Sequence, residues 1–476
     1  MIGITQSQYD TSKQTNRELH LRVELLNFNF NIVEQLEGNV FDGDITIDSN
    51  SDLRRSCHIS MVVTDSTFNP AAGGKIWIDK LIKIYVGIRD AKTGEIVENN
   101  MGIYLINEPT YDYEAQTHTL KFEGLDLASK LTGARNGYLT GVIYKVSAGA
   151  RVRDVIITCL TENGFNNYVV NDCINSDGTL QNVPMDYEFE QGSTWWDIIT
   201  KMRNILPNYQ TYFDVDGIFH YEPIPYTTEE PILITDDLWQ ENVVSENITV
   251  DFSSVKNDIE IWGATHSLNY YGDSSVTTIS GNNISTAIAS VSSLQDNMLI
   301  GFVLPNNVSG NLTLNVSSLG AHNIVDENGN YVTSLEKDII WCVIYDSINS
   351  VWKFIGHQQA QAKIVDDNPD SPFYVESTTG HIKIALFGGE YDDIQSDYLA
   401  MQRAKFELYT RCRLNDTLTL TTVPIYWIDV NIKVSYTSLN KEETNEYMIK
   451  SVSIPLSENS TMSVVLSKFY PYYPIM

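Results

Sequence analysis

Residues 192–225 have the sequence GSTWWDIITKMRNILPNYQTYFDVDGIFHYEPIP, which indicates a short helix followed by a β-hairpin. Thr194 and Asp197 have the spacing of a capping box, in which each side chain accepts a backbone hydrogen bond from the other residue. Apolar residues then recur at helical spacing and predict one buried helix face. They are Trp195, Ile198, Ile199, Met202, Ile205 and Leu206. Pro207 ends the helix because proline has no backbone N–H to donate.

The hairpin is predicted from the residues that follow the helix. An alternating segment leads to Asp216 and Gly217, and both of these residues tolerate the positive φ of a tight turn. The chain returns through residues 218–221 as a second strand. Pro223 and Pro225 then prevent further ladder pairing. The whole unit is therefore expected to be a small α+β module.

This stretch resembles the middle region of phage tail baseplate hub proteins, where a helix precedes a hairpin of the form YFDxDGxFxYxPIP. Two earlier segments, GNVFDGDITIDSNSDLRRSCHISMVV and MGIYLINEPTYDYEAQTHTLKFEGLDLASKL, resemble the tube-forming barrel of these hubs. Two late segments, LTLTTVPIYWIDVNIKVSY and EYMIKSVSIPLSENSTMSVVLSKFY, resemble their second barrel. The resemblance thus extends over nearly the whole chain.

The resemblance and the length of 476 residues together predict several domains, because a single core stops growing well below that size. We expect a mainly β chain with an α+β module: two tube-type β-barrel domains, a small helix-plus-hairpin domain and an inserted β-sandwich. The first barrel is assigned to residues 1–130 and the helix-plus-hairpin module to 131–225. The second barrel is assigned to 226–266 and 366–476, and the inserted sandwich to 267–365.

Local patterns support this division. Short alternating or β-branched runs predict strands within 19–131, and the segment RVRDVIITCLTENGF predicts a helix with Gly164 as its C-cap. Residues 396–411 predict a third helix, which is amphipathic, followed by the strands 418–423, 430–436, 447–454 and 463–466.

The inserted segment changes composition. Ser, Asn, Gly and Thr dominate from about residue 267, and the segment resembles a small β-sandwich of phage tail fibres. Asn328 and Gly329 predict a type I′ hairpin turn, and residues 340–345 are expected to pair with 351–355.

The charge of the chain is strongly acidic. Sixty-one Asp and Glu residues against 31 Lys and Arg residues give a net charge of -30. Such a surface has no basic excess to displace counterions from phosphates, so sequence-specific binding of nucleic acid is not expected. Solubility is the ordinary reason for this charge. In a hub, the same charge would also give a DNA channel an acidic bore that does not hold phosphate.

No chemical motif points to catalysis or to a bound metal ion. The pattern Asp48-x-Asn50-x-Asp52 begins like a calcium loop, but Leu53 and Ile59 occupy the positions of its essential Gly and Glu. The acidic segment around Asp366, Asp367, Asn368 and Asp370 is interpreted as a linker. Ser334 and Ser438 each begin an S-x-x-K match without companion motifs. We therefore assign no catalytic, cofactor-binding or metal-binding residue, and we expect no cofactor.

Other residues leave alternatives open. The five cysteines have no C-x-x-C spacing and indicate neither a disulfide framework nor a zinc site. His20, His58, His118 and His220 fall in strand-rich segments and are expected to have structural roles. Trp341, Trp352 and Tyr331 of the insertion could stack on sugar rings, but core packing is the simpler explanation. The C-terminal Phe469, Tyr470, Tyr472 and Tyr473 are expected to pack on a neighbour or to dock as an ordinary tail.

The resemblance implies a structural, non-enzymatic virion protein: a baseplate hub in the phage tail or tail tip. It would form a homotrimeric ring that adapts the tail tube to the tip. Expected partners are the tail tube or distal tail protein, the tape-measure protein, spike or fibre proteins, and genome DNA that passes through without sequence-specific binding. No signal peptide or membrane-inserted segment is expected. Two alternatives are a tail adhesin that binds a host-surface glycan and a cell-wall hydrolase with a scattered carboxylate site.

Overall fold

The computed structural model describes residues 4–37, 40–63, 66–113, 118–141, 143–174, 180–184, 186–206, 208–225, 227, 231–440 and 444–470. The chain divides into two compact units. Unit 1 comprises Met1–Phe252 and Asn415–Pro474, and unit 2 is built on Ser253–Leu414. The described part contains no helix that is long and apolar enough to cross a membrane.

The described residues are mainly β, which confirms the predicted fold class. The helices are α1 (Gln6–Thr11), α2 (Val152–Glu162), α3 (Trp195–Asn204), α4 (Asp236–Asn242) and α5 (Asp397–Arg411). The strands before unit 2 are β1 (Leu19–Asn27), β2 (Ile32–Glu37), β3 (Val40–Asp48), β4 (Arg55–Val63), β5 (Lys80–Arg89), β6 (Ile96–Tyr113), β7 (His118–Leu125), β8 (Ile143–Val146), β9 (Tyr168–Val170), β10 (Tyr187–Glu190), β11 (Tyr209–Phe213), β12 (Phe219–Pro223) and β13 (Val243–Asp251).

The strands of unit 2 are β14 (Asp258–Thr265), β15 (Tyr271–Gly272), β16 (Thr277–Ser280), β17 (Asn283–Thr286), β18 (Leu299–Val303), β19 (Val308–Ser309), β20 (Thr313–Val316), β21 (Ala321–Val325), β22 (Ser334–Leu335), β23 (Ile340–Asp346), β24 (Val351–His357), β25 (Gln359–Val365) and β26 (Lys383–Phe387). The chain then returns to unit 1 with β27 (Asn415–Thr422), β28 (Lys433–Thr437), β29 (Thr444–Pro455) and β30 (Met462–Lys468).

One sheet of twelve strands organises unit 1. Its order is β13-β27-β30-β29-β3-β4-β7-β6-β5-β1-β2, and β28 pairs with β29 beside this path. A single large core cluster combines side chains from β1 and β3–β7 with side chains from α4 and β27–β30. Residues more than 350 positions apart in sequence thus share one sheet and one core.

The junction of the two halves is the antiparallel pair β3–β29. Residues 44–48 pair with 451–455, with Ile45 opposite Ile454 and Ile47 opposite Val452. All four of these side chains are buried, because side chains on a strand alternate between the two faces of the sheet. The intervening residues therefore point to the opposite, solvent side.

Two groups of strands in this sheet pair by the same scheme. One group is β3, β4, β5, β6 and β7, and the other is β13, β27, β28, β29 and β30. In each group the first strand pairs with the second, the second with the fifth, the fifth with the fourth, and the fourth with the third. The fourth strand, β6 or β29, is long and changes register part-way along the fifth strand in both groups.

The helix-plus-hairpin module packs around a second core cluster. This cluster combines α2, α3 and the hairpin β11–β12 with Leu26, Leu81, Ile103 and Leu105 of the large sheet, and β9 pairs in parallel with β12. The capping box of Thr194 and Asp197 is confirmed, as is Gly164 with φ of 79° at the end of α2. Pro207 lies outside the described residues.

Two details of this module differ from the prediction. Trp196 rather than Trp195 is buried, because Trp196 packs edge-on against Phe219 with ring centroids 6.4 Å apart. In the hairpin turn only Gly217 has a positive φ, because the Asp214 carboxylate accepts from the backbone N–H groups of Asp216 and Ile218 and fixes a longer turn.

Unit 2 contains two larger sheets, each with a core of its own. The eight-stranded sheet has the order β15-β18-β23-β24-β21-β20-β17-β16 and its own core. A second sheet has the order β25-β14-β26, and α5 covers one face of it. The predicted pairing of 340–345 with 351–355 is confirmed. The predicted type I′ turn is wrong, because Gly329 has a positive φ but Asn328 does not, and the Asp326 side chain accepts from Asn328 and Asn330 instead.

The predicted domain boundaries stay a prediction, but the strand pairing adds detail to them. Residues 243–251 pair with β27 in the large sheet of unit 1. Residues 258–265, which were assigned to the same barrel, instead pair with β25 and β26 in unit 2.

The junction strand β3 provides a test of the packing. Replacement of Ile45 by Ala removes a fully buried side chain, and we expect the free energy of unfolding of unit 1 to fall by about 2–5 kcal/mol. The matched control is Thr46→Ala, the next residue on the solvent face, which should change it by no more than about 0.5 kcal/mol. Urea unfolding measures both. Equal effects of the two variants would contradict the assigned faces.

Candidate functional site

A row of hydroxyl side chains crosses the solvent face of the large sheet. Register partners connect Ser245, Thr421, Ser463, Ser453, Thr46 and Ser56, one residue from each of the neighbouring strands β13, β27, β30, β29, β3 and β4. All six residues are exposed or half-buried. At about 4.8 Å between strands, this hydroxyl belt is roughly 24 Å long.

The surroundings of the hydroxyl belt are also built from short side chains. The next row contains Asn247, Thr419, Val465, Ser451 and Asp48. Charged groups gather towards β7, where His58 lies 3.5 Å from Asp44 and 3.3 Å from Glu123. The hydroxyl belt itself carries no formal charge, because serine and threonine hydroxyls are neutral at physiological pH. The central row of this surface is therefore neutral, and the acidic bore expected from sequence stays a prediction.

The hydroxyl belt begins at an open sheet edge. In the described part of the chain, β13 pairs with β27 alone. Two of its core-side residues are exposed because the core layer ends there: Ile248 is 40% exposed and Val250 38%. A long edge strand with exposed apolar residues is a template for pairing with another chain.

A second open edge lies on the later half of β6. Residues 96–105 of β6 pair with β5, but residues 110–113 pair with β7 alone among the described strands. Tyr113 in this half is 70% exposed. Residues 110–113 are the counterpart, in the first strand group, of residues 451–455 of β29, which pair with β3. The open half of β6 therefore corresponds to β29, and the open edge of β13 corresponds to β3. Within the chain, β29 and β3 already pair with each other.

Two buried arginines hold the module against the sheet. Arg55 donates to the Phe213 carbonyl at 2.6 Å and to the Asp429 carboxylate, while its backbone N–H donates to Asp126. Arg54 donates to Gln210 at 3.0 Å and to the Val430 carbonyl at 2.9 Å. The two guanidinium groups thus connect β4, the hairpin and the segment before β28.

The electrostatics of this cluster follow from its burial. Burial lowers the pKa of Arg54 and outweighs the opposing effect of Asp429. Burial also raises the pKa of Asp126 to about 6, although backbone N–H donors and Arg55 act in the opposite direction. Sequence reasoning missed Arg54 and Arg55. Their only local signal is a pair of cations at the start of a strand whose alternate residues are apolar.

A cavity of 310 Å³ lies beside this cluster, between the hairpin, β6 and residues 426–429. His220 lines it and bridges two carboxylates, at 2.9 Å from Asp214 and 3.8 Å from Glu222. Burial alone would lower the pKa of His220. The hydrogen bonds and charges of Asp214 and Glu222 outweigh burial and raise the pKa to about 9. Tyr212 stacks on the imidazole with ring centroids 4.9 Å apart.

The remaining sequence candidates have structural surroundings. Trp341 and Trp352 are 8% and 0% exposed, so their rings belong to the sandwich core and offer no face to a sugar. Ser438 donates to Glu246 at 2.6 Å, while Lys441 of its S-x-x-K match lies outside the described residues. Asp48 accepts from the backbone of Asn50 in a turn. Ser334 pairs with Ser309 in a short two-stranded ladder.

The histidines, carboxylates and C-terminal aromatics also have defined places. His20 lies 3.0 Å from Glu18, and His118 contacts Tyr111 and Tyr113. The described residues contain no cluster of three or more His, Cys, Asp or Glu that could hold a metal ion. Phe469 is buried beneath Lys433. The expectation for Tyr472 and Tyr473 falls outside the described residues.

Comparison with known proteins supports the fold. Residues 370–473 match a family described as a domain of unknown function (DUF5048), and no curated protein sequence matches the chain. The chain is similar to a solved tail protein from Neisseria meningitidis MC58, with a TM-score of 0.51 and 12% identity over 95% of this chain and 98% of that chain. It is also similar to the 43 kDa tail protein of prophage MuSo2 from Shewanella oneidensis, with a TM-score of 0.51 and 9% identity over 94% and 98%. At the level of the fold, the predicted resemblance is confirmed: this chain has the fold of phage tail proteins.

The raised pKa of His220 makes the stability of the hairpin dependent on pH, because Asp214 and Glu222 both belong to the hairpin. A folded pKa of about 9 against an ordinary value of 6.5 means that the stabilisation is fully present below pH 6.5 and is lost as the pH rises through 9. We expect wild-type protein to lose stability between pH 6.5 and 9 more steeply than the His220→Gln variant. Urea unfolding at a series of pH values measures this. Parallel curves for the two proteins would contradict the assignment.

Proposed function

We propose that this protein is a non-enzymatic structural component of a phage tail or tail tip: a hub in which three copies form a ring around a passage. The observation that carries the proposal is the repeated strand scheme. The first group ends in an open edge at residues 110–113 of β6, and the second begins with an open edge at β13. In the interior of the large sheet, the equivalent edges are already joined as β29 and β3.

This arrangement supports a head-to-tail assembly. An interface that joins two different edges generates a ring when the rotation closes, and a filament when it does not. If β13 of one copy pairs with β6 of the next, every junction around the ring has the type of the β3–β29 junction. Three copies of two strand groups then give six similar sectors, the number that would match a hexameric tail tube.

The hydroxyl belt fits the wall of the passage. It begins at the open edge on β13 and crosses the internal junction, so ring formation would carry the same sheet face on into the next copy. Short neutral hydroxyls in a chain of net charge -30 offer phosphates neither a cation nor a long side chain. Genome DNA and the tape-measure protein would pass without being held. Tail tube or distal tail proteins and spike or fibre proteins would contact the two rims of the ring.

The proposed junction can be tested by blocking each edge separately. Ile248→Lys places a charge on the core side of β13, and Tyr113→Lys places one on the open half of β6. We expect each variant to lose the trimer and to run near the 53.8 kDa of one chain in size exclusion with light scattering. A mixture of the two variants keeps one intact edge of each kind and should form a dimer that cannot close.

The control is Ile32→Lys on β2, the strand at the far end of the sheet, where Ile32 is 60% exposed. This variant should remain trimeric. A monomeric wild-type protein would remove the ring proposal. Loss of the trimer in Ile32→Lys alone would show that a different edge forms the junction.

The position of the hydroxyl belt has its own test. Ser453→Cys, in a Cys412→Ser background, places a thiol at the centre of the belt, and the other four cysteines are buried. After labelling with a gold cluster, we expect density on the axis of the ring in negative-stain images. Density at the outer rim would contradict the assignment of this face to the passage.

A further inference from the structure

The second sheet of unit 2 has one face that α5 leaves uncovered. Ile259 and Ile261 of β14 point to α5 and pack near Ala400 and Ala404. By strand alternation, Asp258, Glu260 and Trp262 point to the opposite face. The register places Gln361 and Phe387 on either side of Trp262, and Lys363 and Ala385 on either side of Glu260. The register also places Val365 and Lys383 on either side of Asp258. We call these three adjacent rows of three residues the open face.

One end of the open face is aromatic. Trp262 and Phe387 are neighbours on adjacent parallel strands, so their Cα atoms lie about 4.8 Å apart. Phe387 is 72% exposed and Trp262 is half-buried. Ala385 comes two residues before Phe387 on the same side of the sheet and carries only a short side chain.

The other end of the open face is polar and electrically balanced. Glu260 lies 2.5 Å from Lys383 and 3.7 Å from Lys363. Asp258 is 3% exposed, and its Oδ2 lies 2.8 Å from His381. Among the residues that the structure describes, its Oδ1 has no hydrogen-bond partner, although Lys363 lies 3.6 Å away. A buried carboxylate oxygen without a donor is costly, and a ligand hydroxyl would supply the missing hydrogen bond.

We propose that the open face binds a neutral hexopyranose polysaccharide. The C–H face of a pyranose ring is apolar and would cover Trp262 and Phe387, which removes their exposed area from water. The ring hydroxyls would donate to Asp258 and Glu260 and accept from Lys363, Lys383 and Gln361. The two lysines balance the two carboxylates, so this patch of an acidic chain does not favour an anionic or a cationic ligand over a neutral one.

The site differs in place from the sugar-stacking alternative considered for Trp341, Trp352 and Tyr331 of the insertion. Both tryptophans are buried in the sandwich core, as the simpler explanation required. Trp262 and Phe387 lie on the small sheet of the same unit. The proposal also stands apart from the ring, because none of its residues belongs to the large sheet of unit 1.

Affinity electrophoresis of the full chain tests the proposal. Native gels would contain dextran, soluble starch, laminarin or galactomannan, and we expect retardation in at least one of them. Phe387→Ala should weaken the binding about tenfold or more in that gel, since it removes much of the apolar contact. Phe387 is largely exposed, so the variant is expected to fold normally, and circular dichroism checks this.

The matched control is Tyr331→Ala, which removes another exposed aromatic side chain from the same unit and should leave the retardation unchanged. Absence of retardation with all four polysaccharides would overturn the proposal. Equal retardation of wild type and Phe387→Ala would do the same, and loss in Tyr331→Ala alone would move the site to the sandwich. Light scattering on the same samples reports the trimer, so failure of this proposal and failure of the ring remain distinguishable.

Discussion

The backbone ladder between β3 and β29 is the constraint on which the rest of unit 1 depends. It joins residues 44–48 to 451–455 and turns two separate groups of strands into one sheet. Without this ladder, each group of strands would have an additional open edge, and an unpaired edge can form backbone hydrogen bonds with another chain. The ladder also sets the register of both faces. A shift by one residue would turn Ile45 of β3 to solvent and the hydroxyl of Thr46 into the core if β29 kept its place.

The arginine pair secures the module to this sheet by a different physical principle. Arg54 and Arg55 are nearly inaccessible to water, and their partners come from the hairpin and from residues 429–430. A buried charge without partners is expensive, and loss of one member of a buried ion pair costs about 3–5 kcal/mol. The requirement to satisfy both guanidinium groups therefore favours a single docked position of the hairpin. The Arg54 guanidinium carbon also lies 3.8 Å from the centre of the Tyr212 ring, and this cation–π contact favours the same docked position.

Sequence reasoning succeeded where the determining contacts are local. The capping box at Thr194, the C-cap at Gly164 and the helix near 396–411 each depend on residues within a few positions of one another. It failed where a side chain competed with the expected backbone geometry, as at Asp326, whose carboxylate holds the turn at Asn328. The hydroxyl belt, the arginine cluster and the open face could not be predicted, because each combines residues from strands that only the tertiary fold brings together.

In the proposed ring, the repeated strand scheme means that assembly would require no new kind of contact. In the first group, residues 110–113 of β6 lie beyond a change of register, as residues 451–455 of β29 do in the second group. Residues 451–455 of β29 pair with β3 of the same chain, whereas residues 110–113 of β6 have no corresponding neighbour in the described part of the sheet. An interface that copies an intramolecular junction inherits its strand direction and the separation of its two faces. Exposed core-side residues such as Ile248 would then be covered in the way that Ile45 and Ile454 cover each other within one chain.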